Sequence, residues 1–221
     1  MRNQIKCLIV LTLALWFGDF RAPLVVAFFD YNKFHPVPFR PDLQEYCPQV
    51  KAMRNFNIND MMGTWYVIEY YASSEEAPEY ACMKCNFSIS TENAYITMNF
   101  TYSFKDDPEM DLLYGNITWI VPNVEIPAHW IHAEYIYEGV YNTYVIDTDY
   151  REWALIMHCA EKPKSNRYLS AYMLSRTPTV GVNVINFLRE KLPRYDIDIE
   201  FMFPIDQENC KKIVKNETYF Q

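Results

Sequence analysis

The side chains able to do chemistry in this chain are few and scattered. It has six cysteines: Cys7 lies in an apolar run near the start, and Cys47, Cys82, Cys85, Cys159 and Cys210 are spread widely over the rest. Cys82-x-x-Cys85 is a lone pair with no second CxxC and no His-x-His partner, which is not zinc-site spacing. Of the four histidines, His129 and His132 are three apart on a candidate strand and so face opposite sides, while His35 and His158 are remote. All four read as surface or rim residues, and neither a metal site nor a cofactor is expected. No GxSxG, no HExxH and no carboxylate pair of specific spacing occurs. The five glycines form neither a GxGxxG nor a phosphate-cradling loop. With 28 acidic against 20 basic residues and a net charge of −8, there is no basic face for nucleic acid. Chemistry built on burial fits better than chemistry built on charge, because half the residues are hydrophobic and 17% are aromatic.

The compartment follows from the N-terminus. Arg2 and Lys6 precede an apolar run, Cys7 to Phe17, that is too short to cross a bilayer and has the form of a signal peptide. Val25-Val26-Ala27 is the best small-residue cleavage site, so residues 1–27 are expected to be a leader and the mature chain to be secreted, with no transmembrane segment. Four N-x-[ST] glycan acceptors, Asn86, Asn99, Asn116 and Asn216, agree with that route. In oxidising surroundings the five cysteines of the mature chain suit two disulfides and one leftover thiol.

The elements that position these residues are mostly strands. Residues 28–46, with Pro36, Pro38 and Pro41 among aromatics, read as an extended arm. From Ala94 to Phe104, apolar Ile96, Met98, Phe100, Tyr102 and Phe104 alternate with polar or exposed positions, the period of a half-buried strand. Asn99 falls on the polar face. Asn86 likewise leaves Phe87 and Ile89 inward, and Asn116 leaves Leu113, Ile117 and Trp119 inward. Further strands are expected near residues 130–137, 140–146, 152–160 and 167–176, at the spacing of an antiparallel meander. One change of period follows. Thr177-Pro178 is expected to cap a helix whose apolar residues are Val184, Ile185, Leu188 and Leu192, stopped by Pro193. A sheet of this length with no second apolar layer hides its edges best by closing into a barrel.

Three short motifs then carry a resemblance. Asn55-Phe56 with Gly63-Thr-Trp65, the turn Thr148-Asp149-Tyr150, and Arg176 just before the helix together resemble the signatures of the lipocalin family. Cys47-Pro48, Cys159 and Cys210 resemble the apolipoprotein D-type branch, over residues 47–210, with a polar tail at 211–221. The resemblance implies an eight-stranded up-and-down β-barrel with one C-terminal helix packed outside. It implies that Trp65 plugs the closed end beneath the Arg176 guanidinium and that Asp149 caps turn amides beside it. It further implies disulfides Cys47–Cys159 and Cys82–Cys210, leaving Cys85 as the free thiol.

In such a barrel, Phe87, Ile89, Met98, Phe100, Ile117, Trp119 and Tyr172 would line an apolar cup. Tyr135 and Tyr144 are candidates for hydroxyls near the mouth, although the parity of their strands is ambiguous. The expected function is a secreted carrier of a small hydrophobic ligand (a lipid, fatty acid, retinoid or bilin-like molecule), with a cell-surface receptor as a candidate further partner. The alternative is an extracellular interaction protein with a filled barrel, acting through the arm. Thiol-dependent isomerisation at Cys85 is the least favoured reading, because no His or Lys is placed by sequence to lower its pKa, and no enzyme activity is expected.

Overall fold

The computed structural model describes residues 44–73, 79–90, 92, 95–107, 109, 111–133, 139–162 and 166–210. The expected leader, most of the arm, Tyr135 and Asn216 lie outside the described residues. A single helical turn, α1 (Ile58–Met61), precedes the strands, its second amide (that of Asn59) bonded by the Asn57 side chain at 3.1 Å. Eight strands follow: β1 (Gly63–Ala72), β2 (Tyr80–Ile89), β3 (Ile96–Phe104), β4 (Leu113–Trp119), β5 (His129–Ala133), β6 (Val140–Thr148), β7 (Trp153–Ala160) and β8 (Tyr168–Ser175). Helix α2 (Val182–Arg189) comes next, then two 3-10 turns and the short β9 (Phe203–Pro204).

The spatial order β4-β3-β2-β1-β8-β7-β6-β5 is an up-and-down meander in which every neighbouring pair is antiparallel. Strand β9 adds to β1 through Glu69↔Pro204 and Tyr70↔Phe203. The two ends of the sheet meet at one bridge, where the Ile120 and Ile131 amides each donate to the other's carbonyl, at 3.0 and 2.9 Å. The barrel is therefore nearly closed, with one thin seam.

Period two sorts the side chains into two cores. Strand β7 shows it most plainly: Ala154 and Ile156 point into the barrel, whereas Leu155, Met157 and Cys159 point out, and all are buried. The outward set is covered by Leu188 of α2 and by Leu192, Tyr195 and Ile197 just after it. Helix α2 begins at Val182, later than Thr177-Pro178 suggested. Gly181 takes the cap position with no side-chain bond, because the Thr177 hydroxyl is already used on the Thr179 carbonyl at 2.6 Å. What fastens the helix is charge. Arg189 Nε donates to buried Glu69 on β1 at 2.8 Å, within a two-pronged pair.

Two disulfides, Cys47–Cys159 and Cys82–Cys210, tie the segment before α1 to β7 and the tail to β2. They close loops spanning 112 and 128 positions, which in the chain-entropy account stabilise by about 4–5 kcal/mol each.

The closed end is organised by Arg176. Its guanidinium carbon lies 3.6 Å from the Trp65 ring centre, and its nitrogens donate to the carbonyls of Thr64 (2.9 Å), Asp60 (3.0 Å) and Tyr150 (3.1 Å). The indole N–H of Trp65 donates to the Met61 carbonyl at 2.8 Å. Gly63 sits at φ +93°, a left-handed turn that lets the chain leave α1 and enter β1 under this guanidinium. Asp149 Oδ1 accepts from the amides of Arg151, Glu152 and Trp153 at 2.9–3.1 Å, and the Tyr150 hydroxyl accepts from the Asn57 amide at 2.9 Å. Because a lysine has neither the planar fork nor the reach for three carbonyls, Arg176→Lys is expected to cost roughly 2–3 kcal/mol in urea unfolding. A loss under about 0.5 kcal/mol, the scale of an ordinary surface change, would show that the guanidinium is not what holds this end shut.

Candidate functional site

Above Trp65 the barrel interior opens into a cup. Its floor is a cluster of three rings, Phe87, Trp119 and Trp130, with centres 5.7–6.3 Å apart. Its wall includes Met83, Met98, Ile117, Ile156, Tyr172 and Leu174. At the open end Tyr70, Tyr80, Tyr102 and Phe104 pack ring on ring, with centres 5.3–6.1 Å apart. The atom-free volume is about 480 Å³ with the mouth included, and the centre of a water molecule can move through about 50 Å³ of it, room for a few waters.

Six of the expected lining residues do face this space: Phe87, Met98, Phe100, Ile117, Trp119 and Tyr172. Two of the others do not enter it. Ile89 shares the parity of Phe87 but occupies the last rung of β2, opposite Ile96 and beyond the cup. Tyr144 neighbours inward Thr143 and so points outward, stacked on His129 at 4.6 Å. Tyr135 lies outside the described residues. Phe100 owes its position to the residue opposite it in the ladder. Gly115 leaves its ring room to lie against β4, where a Cβ would come within 2.3 Å of the ring.

The reading of all four histidines as surface or rim residues fails at His158, which is buried at 6% exposure. Burial first, and the neighbouring His132 second, push its pKa down to about 3, so it is neutral over the physiological range. Its Nδ1 lies 2.7 Å from Thr143 Oγ1, and its ring stacks on Trp119 with centres 6.1 Å apart. Strand parity could have found it, since Ala154 and Ile156 share its face. A charge-bearing residue type suggested the opposite. His132 does face the other side of β5 from His129, packing edge-on to Trp119 at 5.8 Å. Among the described residues no group of three or more His, Cys, Asp or Glu is arranged to hold a metal.

Cys85 is in the cup wall and is 3% exposed. Burial pushes its thiol up to about 12, with Arg176 pulling weakly the other way. A thiol so held is a poor nucleophile, and thiol-dependent isomerisation gains no support from its surroundings.

The outer wall carries the glycan acceptors. Asn86, Asn99 and Asn116 are register partners across β2, β3 and β4, forming one row on the outside of the barrel while their neighbours in sequence face the cup.

No family model matches this chain. It is 26% identical to apolipoprotein D of Bos taurus over 164 residues, covering 74% of this chain and 84% of that protein. It is 27% identical to apolipoprotein D of Mus musculus over the same length. Among solved structures it superposes on apocrustacyanin C1 with a TM-score of 0.54 at 14% identity, over 68% of this chain and 79% of that one. Lobster apocrustacyanin A1 gives a TM-score of 0.53 at 16% identity, with the same coverage.

Two outcomes follow from the buried groups. The unfolded chain takes up a proton at His158 near pH 6.5, whereas the folded chain does so only near pH 3. Stability from this group is therefore complete above about pH 6.5 and falls steadily as the pH drops towards 3. Between pH 7 and 4.5, the wild type should lose about 2–3 kcal/mol more in urea unfolding than His158→Gln; equal losses would contradict the neutral buried imidazole. Iodoacetamide at pH 8 should leave Cys85 unmodified in the native mature chain and alkylate it in denaturant. Rapid native labelling would place the thiol in solvent.

Proposed function

We propose that this apolipoprotein D-like lipocalin is a secreted carrier that holds one small hydrophobic molecule inside its barrel. The observation that carries the reading is the cup itself: a closed floor, an apolar and aromatic wall, an open mouth, and no Lys, Arg, Asp or Glu among the described residues of the lining. Such a cavity has little to offer a polar metabolite but much to an apolar one. A ligand burying about 300 Å² gains roughly 7–8 kcal/mol before the costs of binding, the scale of micromolar affinity. The leader and the glycan acceptors in the sequence, together with the two disulfides, support an extracellular setting.

The space as it stands is narrow. Admitting a fatty acid, a retinoid or a bilin-like molecule requires Met83, Met98 and Phe100 to swing aside. Two of these are flexible thioethers suited to that. The likeness to apolipoprotein D and to the apocrustacyanins supports the fold and the carrier class without naming the guest.

The test is a titration of the mature protein with the neutral fluorophore N-phenyl-1-naphthylamine, followed by displacement with a fatty acid, a retinoid and a bilin. The carrier reading expects saturation near one equivalent, displacement by at least one of the three, and quenching of tryptophan emission. Gly115→Ala, whose added methyl forces the Phe100 ring into the cup, should weaken fluorophore binding by about fivefold or more. Absence of saturable binding would overturn the carrier. It would leave the arm at residues 28–46 as the alternative seat of function.

A further inference from the structure

The cup is apolar but not without polar demand. The Trp119 indole nitrogen is buried and finds no acceptor among the described residues. Donors left so are uncommon in folded proteins, and each costs about 1–3 kcal/mol when nothing answers it. A second donor lies beside it. The Thr143 hydroxyl is fully buried, and among the described residues its contact is His158 Nδ1 at 2.7 Å. With nowhere else to place its proton, that hydroxyl donates to Nδ1, which puts the imidazole hydrogen on Nε2. His158 Nε2 makes no hydrogen bond among the described residues, and both rings are part of the cup lining. Two N–H groups on stacked rings 6.1 Å apart thus share one region of an otherwise greasy wall. The Ser170 hydroxyl, on the residue paired with His158 across β7 and β8, also finds no partner among the described residues.

Resting on the carrier reading, we propose that the guest is an uncharged hydrophobe bearing an acceptor oxygen (a ketone, aldehyde, ester or alcohol), and that the Trp119 and His158 N–H groups hold that oxygen at the inner end of the cup. A plain hydrocarbon leaves both donors unanswered. An ionised carboxylate meets two neutral donors but no counter-charge in the lining, and a buried anion without one is costly. Arg176 does not supply it, since its nitrogens are committed to three backbone carbonyls at the closed end. A neutral oxygen satisfies the donors without that penalty and adds no charge to the interior.

The test compares three probes of one chain length, decan-2-one, decane and decanoate, as competitors for N-phenyl-1-naphthylamine at pH 8. Trp119→Phe removes the N–H and keeps a ring, so it should weaken decan-2-one about tenfold while changing decane less than about twofold. In the wild type, decanoate should compete at least about tenfold more weakly than the ketone. The wild-type protein gives a second readout that does not depend on the variant folding. With ¹⁵N-labelled tryptophan, the Trp119 indole proton should move downfield on adding decan-2-one and not on adding decane. If ketone and hydrocarbon respond alike in both readouts, the polar subsite is wrong while the carrier stands. If decanoate binds as well as the ketone, the restriction to uncharged heads is wrong. If N-phenyl-1-naphthylamine itself shows no saturable binding, the carrier reading fails; if it binds but no probe competes or shifts the resonance, the polar subsite alone is wrong.

Discussion

Everything above the floor of this barrel depends on one cation lying across one indole. Arg176 sits 3.6 Å over Trp65 and at the same time joins three carbonyls from α1, β1 and the β6–β7 turn. Asp60 and Thr64 are neighbours in sequence but Tyr150 is remote from both, and each presents a carbonyl oxygen that a closed barrel end would otherwise leave poorly satisfied. A planar group with five donors is the one side chain able to satisfy them together while still packing on an aromatic face. With the bottom sealed in this way, the rings of Phe87, Trp119 and Trp130 form an aromatic floor above the seal.

The remaining walls are stiffened from outside. Strands β7 and β8 are buried on both faces, one side towards the cup and the other beneath α2 and the turns that follow it. The bidentate Glu69–Arg189 pair and the Cys47–Cys159 bridge reinforce that same side. The opposite side, β2 to β4, has no such covering among the described residues; its outer face carries the row of sequon asparagines. The two methionines and Phe100, the side chains with most freedom to move aside, belong to β2 and β3. The barrel thus has a braced half and a half lined by its most flexible side chains.

The sequence made the architecture legible because its signals are local and repeated. Alternation from Ile96 to Phe104 needs no partner strand to be read, and the sequon asparagines report which face is out. The Gly63, Trp65 and Arg176 motif is likewise spelled in residue types that few other sites require. The errors arose where tertiary context decides. Tyr144 and Ile89 have the composition of lining residues, but parity turns one outward and the end of a strand carries the other past the cup. His158 was hidden for the opposite reason: a titratable residue argues for the surface until the Thr143 hydroxyl and the Trp119 ring are seen to hold it neutral inside. The helix start moved because the Thr177 side chain found a nearer carbonyl than the amides it was expected to cap.

The barrel is thus an apolar cup, closed at one end, with a small polar demand on one wall, and its occupancy can be weighed directly. Native mass spectrometry of the protein, purified without detergent and compared before and after solvent extraction, reads that occupancy on the intact chain. The account predicts one small molecule per chain before extraction, released as an uncharged, oxygen-bearing hydrophobe, with the empty protein refilling to one equivalent from an apolar extract. A chain that is bare when isolated, and stays bare after exposure to such an extract, would contradict it.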